Sequence, residues 1–262
     1  MIIDAHAFVF PPSYNMKYLR SVEEYYNRKA LSAGTVADAL VHADDSGTDK
    51  LLISGVADNT RSALSANQFV EESVKANPER LMGLACINPD VYNTEELIND
   101  AISRGFRGIM LQPDFQGVRL NSPKAMTLFE LAYEKMPIFI HINGSQADET
   151  ELNRLKLALR TYRNMDWIIS CDGSFEWLRA IGEDLALLGA RIVTSGMVSS
   201  LGVDETRRII DLMSADNIIY GSCFPMNDMK NELELLSSVP MTDAEREKIF
   251  GGNLMEIFKK YN

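Results

Sequence analysis

The chain has 262 residues, of which 46% are hydrophobic and 24% are charged, as in ordinary globular proteins. The net charge of −11, from 26 basic and 37 acidic residues, argues against nucleic acid and anionic membrane surfaces as partners. The N-terminus shows no signal-peptide pattern, and no apolar run reaches the length of a membrane span. Three widely spaced cysteines favour reduced thiols over a disulfide framework, so we expect a cytoplasmic protein.

Short apolar runs alternate with longer amphipathic segments along the whole chain. The predicted strands are Ile2–His6, Lys50–Ser54, Met82–Asn88, Gly108–Gln112, Pro137–Ile142, Trp167–Asp172, Arg191–Ser195 and Asn217–Cys223. The predicted helices are Val36–Asp45, Thr60–Ala76, Thr94–Arg104, Pro123–Glu134, Glu149–Arg163, Phe175–Leu188, Asp204–Ser214, Asp243–Gly251 and Leu254–Tyr261. Strict alternation with nearly continuous apolar strands indicates a parallel sheet that is covered by helices.

Eight such units in about 250 residues predict a (β/α)8 TIM barrel that forms one domain over residues 1–262. A doubly wound open sheet is the alternative, but no glycine-rich phosphate loop follows an early strand. The long segment Pro11–Gly34 separates the first strand from the first barrel helix. Its aromatic residues, Tyr14, Tyr18, Tyr25 and Tyr26, predict a helical lid over the barrel mouth.

The first strand delivers two polar side chains, Asp4 and His6. Their spacing of two residues places both on one face of a regular strand. In a (β/α)8 barrel, the active site lies at the C-terminal ends of the strands. The polar or sulfur-containing residues at the predicted strand ends are Asp4, His6, Ser54, Asn88, Gln112, His141, Asn143, Cys171, Asp172, Thr194, Ser195, Ser222 and Cys223.

Several of these strand ends resemble the amidohydrolase superfamily, and more narrowly its amidohydrolase-2 branch of aminocarboxymuconate-semialdehyde-decarboxylase-like barrels. The segments that carry the resemblance are Ile2–His6, Gly105–Pro113, Pro137–His141, Trp167–Ser174, Ile219–Pro225 and Gly252–Leu254. They occur in the family's order over nearly the whole chain. The resemblance implies a barrel with a metal-dependent site at its mouth, a small-molecule substrate and a possible homodimer.

The expected metal ligands are only partly present. The family pattern has a His-x-His pair on the first strand, a histidine on the fifth, a histidine on the sixth and an aspartate on the eighth. His6 and His141 match this pattern. Phe8 stands in place of the second histidine of the pair, Cys171 in place of the sixth-strand histidine, and Cys223 in place of the aspartate, which is also the family's proton-transfer base.

Two interpretations of these replacements stay open. In the first, His6, His141, Cys171 and Cys223 bind zinc or another divalent metal, because two imidazoles and two thiolates suit tetrahedral zinc. Four protein ligands indicate a structural ion, whereas three leave a position where bound water has a pKa of about 7. In the second, the site is metal-free, and the thiols fill space left by larger ligands.

The sequence therefore predicts an amidohydrolase-like hydrolase, or a decarboxylase-like enzyme, that acts on a small organic substrate at the barrel mouth. His6, His141 and Asp172 are the candidate catalytic residues, with Asp172 as a replacement for the missing base. The alternative is a catalytically inactive barrel that binds a ligand or a partner, which the loss of the usual aspartate favours.

Overall fold

The computed structural model describes residues 1–12, 15–90 and 93–261, so the predicted lid residue Tyr14 lies outside the described part. The strands are β1 (Ile3–Phe8), β2 (Lys50–Ser54), β3 (Leu81–Gly83), β4 (Ala85–Cys86), β5 (Ile109–Leu111), β6 (Ile138–Asn143), β7 (Trp167–Asp172), β8 (Arg191–Val193) and β9 (Ile218–Ile219). The α-helices are α1 (Asn15–Tyr26), α2 (Val36–Ser46), α3 (Thr60–Ala76), α4 (Thr94–Ser103), α5 (Pro113–Gln116), α6 (Pro123–Ala132), α7 (Glu149–Thr161), α8 (Leu178–Leu187), α9 (Met197–Leu201), α10 (Val203–Met213), α11 (Met229–Ser238), α12 (Asp243–Glu247) and α13 (Asn253–Lys259). Within these ranges no helix combines the length and the apolar character needed to cross a membrane.

The strands form a parallel ring, which confirms the prediction of a (β/α)8 barrel. They pair in the orders β1–β2–β3 and β4–β5–β6–β7–β8–β9. The third barrel strand is interrupted at Leu84, but its backbone bonds on both sides, since Leu84 N donates to Ile53 O and Ala85 N donates to Gly108 O. The ring continues from the segment after β9 to β1, where Phe8 N donates to Phe224 O at 2.7 Å.

Apolar side chains fill both faces of this ring, as expected for parallel strands that are buried on both sides. The inner cluster, inside the barrel, includes Ile3, Leu52, Leu84, Phe139, Ile168, Val193 and Ile219. The outer cluster, between the strands and the helices, includes Leu51, Ile53, Ile109, Ile140, Trp167, Ile169 and Ile192. Consecutive residues of β2, β7 and β8 thus alternate between the two clusters, as the period of two requires.

A β-bulge in β1 breaks this alternation. Asp4 pairs with Leu51 and Ala7 with Ile53, so the register shifts between the two pairs. Both partners on β2 belong to the outer cluster. Asp4 therefore lies on the outer side, whereas the His6 ring lies inside the barrel, 4.7 Å from the His141 ring. The prediction that Asp4 and His6 share one face is wrong, because the extra residue of a bulge moves the following side chains to the opposite face.

The segment after β1 is a helical lid, as predicted. Helix α1 places Tyr18 and Tyr26 against the inner cluster, and the Tyr25 ring lies 5.4 Å from the Phe115 ring. The segment that follows α1 is fixed to the barrel by Leu31 N, which donates to Pro225 O at 2.8 Å. The lid therefore covers the C-terminal ends of the strands.

The predicted barrel helices are present, with end points that differ by a few residues. Local capping explains the sharpest starts: Thr35 caps α2 in a capping box with Asp38, and Thr242 caps α12 in the same way with Glu245. Helices α5, α9 and α11 were not predicted. Helices α5 and α9 are short and lie in loops that follow strands at the mouth, whereas α11 packs against α2 and α10 as the eighth barrel helix. Asp228 is the N-cap of α11 and accepts a hydrogen bond from Asn231 N.

Candidate functional site

Three side chains that can bind a metal converge inside the barrel mouth. His6 comes from β1, His141 from β6 and Cys223 from the segment after β9. Their donor atoms all lie within 4.8 Å of one another, and each residue is only 1% exposed. Gly221 makes room for this arrangement, because a Cβ at that position would lie 3.0 Å from the His6 Cβ.

Serine hydroxyls hold both imidazoles. His6 Nδ1 lies 2.9 Å from Ser195 Oγ, and His141 Nδ1 lies 3.1 Å from Ser170 Oγ. His6 Nε2 is buried and has no hydrogen-bond partner among the described residues. Since hydrogen bonds at one ring nitrogen orient the other, the serines direct the Nε2 atoms toward the centre of the site.

Aromatic rings pack against the two imidazoles. The Phe8 ring meets His6 edge-on at 4.7 Å and His141 at 5.2 Å. The Tyr26 ring of the lid lies 5.5 Å from the His141 ring. Phe8 thus occupies the interior position that the resemblance assigns to a histidine, and it adds an apolar wall in place of a donor.

Cys171 is not brought into this group of donors. In the pairing of β6 with β7, His141 lies opposite Ser170, and Cys171 lies opposite Ile142 of the outer cluster. The Cys171 thiol points toward Ser174 O, at 3.8 Å. The period of two therefore places Ser170 in the barrel interior and the predicted ligand Cys171 outside it. All three cysteines are free thiols, as expected.

Burial controls the ionisation of the three converging residues. It lowers the pKa of His6 to about 3 and lowers the pKa of His141, where the neighbouring His6 adds to the effect. Burial also raises the pKa of the Cys223 thiol, and the positive charge of Arg28 partly opposes this rise. Both imidazoles are therefore neutral at physiological pH, which leaves a nitrogen lone pair free on each ring.

Asp172 lies at the mouth, at the C-terminal end of β7, two residues beyond the inward-facing Ser170. Its Oδ1 accepts hydrogen bonds from Arg28 Nη1 and from Gly173 N. Its Oδ2 is buried and has no partner among the described residues. This predicted catalytic carboxylate is thus next to the mouth but engaged with a cation of the lid.

Two other buried carboxyl groups support the site from outside the ring. Asp4 Oδ1 accepts from His6 N and Ser222 N, both at 2.9 Å, and burial raises the pKa of Asp4 to about 6. Glu232 of α11 accepts from Gly196 N at 2.8 Å, and burial raises the pKa of Glu232 to about 7. Asp4 therefore fixes the backbone next to both His6 and Cys223.

Sequence reasoning missed two contributors, Ser170 and Arg28. Ser170 is one residue from the predicted ligand Cys171, and aligning the starts of β6 and β7 would have placed it opposite His141. Arg28 is 144 residues from Asp172 in the sequence, and no local sequence pattern predicts that the two residues pair.

The donor set fits a divalent metal ion. Two imidazole nitrogens and one thiol sulfur are ligands that zinc and related ions prefer, and three protein ligands are typical of a catalytic ion. The buried, unpartnered His6 Nε2 supports this fit, because an orphaned buried acceptor costs free energy unless something binds it.

The comparisons with known proteins agree with the fold. The family model described as amidohydrolase (Amidohydro_2) matches residues 3–259. An uncharacterised TIM-barrel protein from Bordetella bronchiseptica has a TM-score of 0.81 at 16% identity, with 99% of each chain covered. The 5-carboxyvanillate decarboxylase from Sphingomonas paucimobilis has a TM-score of 0.77 at 16% identity, with 98% of each chain covered.

A dihydroxybenzoic acid decarboxylase from Polaromonas, solved with bound manganese and the inhibitor 2-nitroresorcinol, has a TM-score of 0.77 at 15% identity. The match covers 100% of this chain and 97% of that one. A comparison with curated proteins found no match. Because the family model covers nearly the whole chain, the protein belongs to the amidohydrolase-2 family.

Proposed function

We propose that the protein is a metal-dependent enzyme of the decarboxylase type that acts on a small aromatic carboxylic acid at the barrel mouth. The observation that carries this proposal is the convergence of His6, His141 and Cys223, with an unpartnered His6 Nε2. The aromatic wall of Phe8 and Tyr26 suits a flat ring. Similarly folded proteins include decarboxylases of hydroxylated and methoxylated benzoic acids.

His6, His141 and Cys223 would hold the ion, and the thiol favours zinc over the manganese bound in several of the similar structures. When bound, the ion supplies a Lewis acid for an oxygen of the substrate. Ser195 and Ser170 keep the two imidazoles oriented, and the lid excludes water from the buried site.

Decarboxylation breaks the bond between the ring carbon and the carboxyl carbon and adds a proton to the ring carbon. In related barrels the resemblance assigns proton transfer to an aspartate, and a thiol stands at that position here. Asp172 is an inward-facing carboxylate at the mouth, and its Oδ2 has no partner among the described residues. In its protonated form, Asp172 would donate this proton to the ring carbon as the carboxyl carbon leaves as CO2, and it would regain a proton from water.

The test is a metal and activity analysis of the purified protein with two matched cysteine variants. We expect one equivalent of bound metal, a loss of zinc affinity of at least a hundredfold in Cys223→Ser, and little change in Cys171→Ser. Both cysteines are buried, so melting temperatures report whether either variant is misfolded.

Activity is then measured as CO2 release from a panel of hydroxylated benzoic acids. Release that depends on metal and is lost in Cys223→Ser supports the proposal. A metal-free protein, or equal zinc binding by the two variants, would refute the metal site. Bound metal without turnover of any acid in the panel would favour the inactive ligand-binding barrel instead.

We also propose that the chain is a single domain in the cytoplasm, where three free thiols stay reduced. Limited proteolysis that releases a stable fragment would contradict the single domain. A homodimer is a further prediction, which the mass measured in solution by light scattering tests directly.

A further inference from the structure

Arg28 lies at the barrel mouth, although it comes from the lid segment that follows α1. Its Nη2 donates to Asn227 Oδ1 at 2.6 Å and to Met226 O at 3.2 Å. Its Nη1 donates to Asp172 Oδ1. One part of the guanidinium is therefore held by the loop before α11, while another part meets a carboxylate.

The pairing of Arg28 with Asp172 is incomplete. The Asp172 side chain is only 2% exposed, yet its Oδ2 is buried with no partner among the described residues. A permanent pair between a guanidinium and a carboxylate commonly uses two parallel hydrogen bonds, and a buried oxygen without a donor costs free energy. Asp172 is therefore a poor permanent partner for Arg28.

Arg28 also supplies positive charge next to two groups at the mouth. Its charge opposes the rise in the pKa of Cys223 and the rise in the pKa of Glu232, so it acts on both groups. The whole chain has a net charge of −11, which repels an anionic ligand at long range. A carboxylate that enters this site therefore needs a local cation.

We propose that Arg28 binds the carboxylate of the ligand and that Asp172 occupies the place of this carboxylate in the closed, ligand-free site. On binding, the ligand carboxylate replaces Asp172 at Nη1 of Arg28, while Nη2 stays bound to Asn227. The aromatic ring of the ligand then lies near Tyr26 and Phe8. The ligand class is thus a flat aromatic ring that carries a carboxylate. This inference rests on the proposed function in taking the same mouth as the binding site.

Isothermal titration calorimetry with benzoate and its neutral isostere benzamide tests the exchange without requiring turnover. We expect the unmodified protein to bind benzoate at least tenfold more tightly than benzamide. Arg28→Gln should abolish this preference, and Arg28→Lys, which keeps the charge but loses the planar fork, should retain part of it. Asp172→Asn should tighten benzoate binding about threefold or more, because the competing carboxylate is gone.

Lys29→Gln is the matched control, because this neighbouring lid cation is 85% exposed and pairs with Glu23 rather than with Asp172. It should leave both affinities unchanged. Equal binding of benzoate and benzamide by the unmodified protein would overturn the inference. So would a preference that survives Arg28→Gln, or weaker benzoate binding by a folded Asp172→Asn variant.

Zinc content, measured on the same samples, separates this inference from the proposed function. A metal-free protein that selects benzoate through Arg28 contradicts the metal-dependent enzyme and supports the carboxylate site. A zinc-containing protein that binds benzoate and benzamide equally supports the metal site and contradicts the carboxylate site.

Discussion

Two buried aspartates stand at opposite ends of β7, and their surroundings differ. Asp166 precedes the strand at the N-terminal face of the barrel, where Oδ1 accepts from Arg191 Nη1 at 2.6 Å and Lys260 Nζ at 2.9 Å. Its Oδ2 accepts from the Tyr261 hydroxyl at 3.0 Å. Asp172 ends the strand at the mouth, where only Oδ1 has partners among the described residues.

The difference separates a carboxylate that maintains the fold from one that is available to a ligand. Asp166 joins the C-terminal residues Lys260 and Tyr261 to the barrel, and both of its oxygens are satisfied. Asp172 is as deeply buried but leaves one oxygen unused. This matches the general division of (β/α)8 barrels into a stability face and an active face.

The largest expected effect is on stability at the Asp166 end. Asp166→Asn removes the charge that faces the partly buried Arg191 and should lower the free energy of unfolding by about 3 kcal/mol. Asp172→Asn should cost less than about 1 kcal/mol, because its oxygen Oδ2 is already unpaired and Arg28 is 35% exposed. Urea denaturation of the two variants measures both values. Equal losses would contradict the division between the two ends.

The second prediction concerns Glu232, a mouth carboxyl group that faces Asp4, Arg28 and Asp228. Its pKa is about 7 in the folded protein and about 4.5 when unfolded, so the folded state binds the extra proton. Protonation of Glu232 therefore stabilises the folded state. This stabilisation is fully present below pH 4.5 and is lost as the pH rises through about 7.

Between pH 5 and pH 8, the unmodified protein should therefore lose about 2 kcal/mol more stability than Glu232→Gln loses. Urea denaturation at the two pH values provides the measurement. Parallel pH dependence of the two proteins would show that Glu232 keeps its ordinary affinity for protons.

The third prediction concerns the serines behind the imidazoles. Ser195→Ala removes the hydrogen bond to His6 Nδ1 and should weaken zinc binding about tenfold, because the hydroxyl no longer orients the imidazole. Ser170→Ala should act similarly through His141. Competition with a chromophoric chelator measures the affinity. Unchanged affinity in both variants would mean that packing alone orients the rings.

The smallest effect is expected at Lys260, one of several donors to Asp166. Lys260→Met should cost less than about 1 kcal/mol, because Lys260 is 49% exposed and Arg191 and Tyr261 remain bonded to the carboxylate. A loss comparable to that of Asp166→Asn would show that the ammonium, and not the guanidinium, is the essential partner. Thermal denaturation of the two variants side by side makes this distinction.

Much of the barrel follows from patterns that act over short distances. Apolar runs such as Trp167–Asp172 and caps such as Thr35 and Thr242 specify elements through neighbouring residues, and the structure contains those elements. The predicted strand Met82–Asn88 is less regular, since it is interrupted at Leu84. Interruptions of this kind depend on the neighbouring strands, which a single segment does not encode.

The candidate site was predictable where residues end strands in regular alternation, as His141 does. It was less predictable where one residue decides which face a side chain occupies. The sixth-strand match to the family pattern favoured Cys171, but the pairing of β6 with β7 places Ser170 inside. Arg28 could not be predicted, because its contact with Asp172 exists only after the lid has folded over the barrel.

The bulge in β1 changes which residues of the strand, odd-numbered or even-numbered, face the barrel interior. Before it, the odd-numbered residues Ile3 and Ala5 face the barrel interior, and after it the even-numbered Phe8 and Phe10 do. One strand can therefore place an aspartate against the outer framework and a histidine in the interior only two residues later. Without the bulge, strict alternation continued from Ile3 and Ala5 would place Ala7 in the interior and turn both Phe8 and the residue two before it out of the site. The identity of the residues at positions 6 and 8 matters chemically only because this one extra residue precedes them.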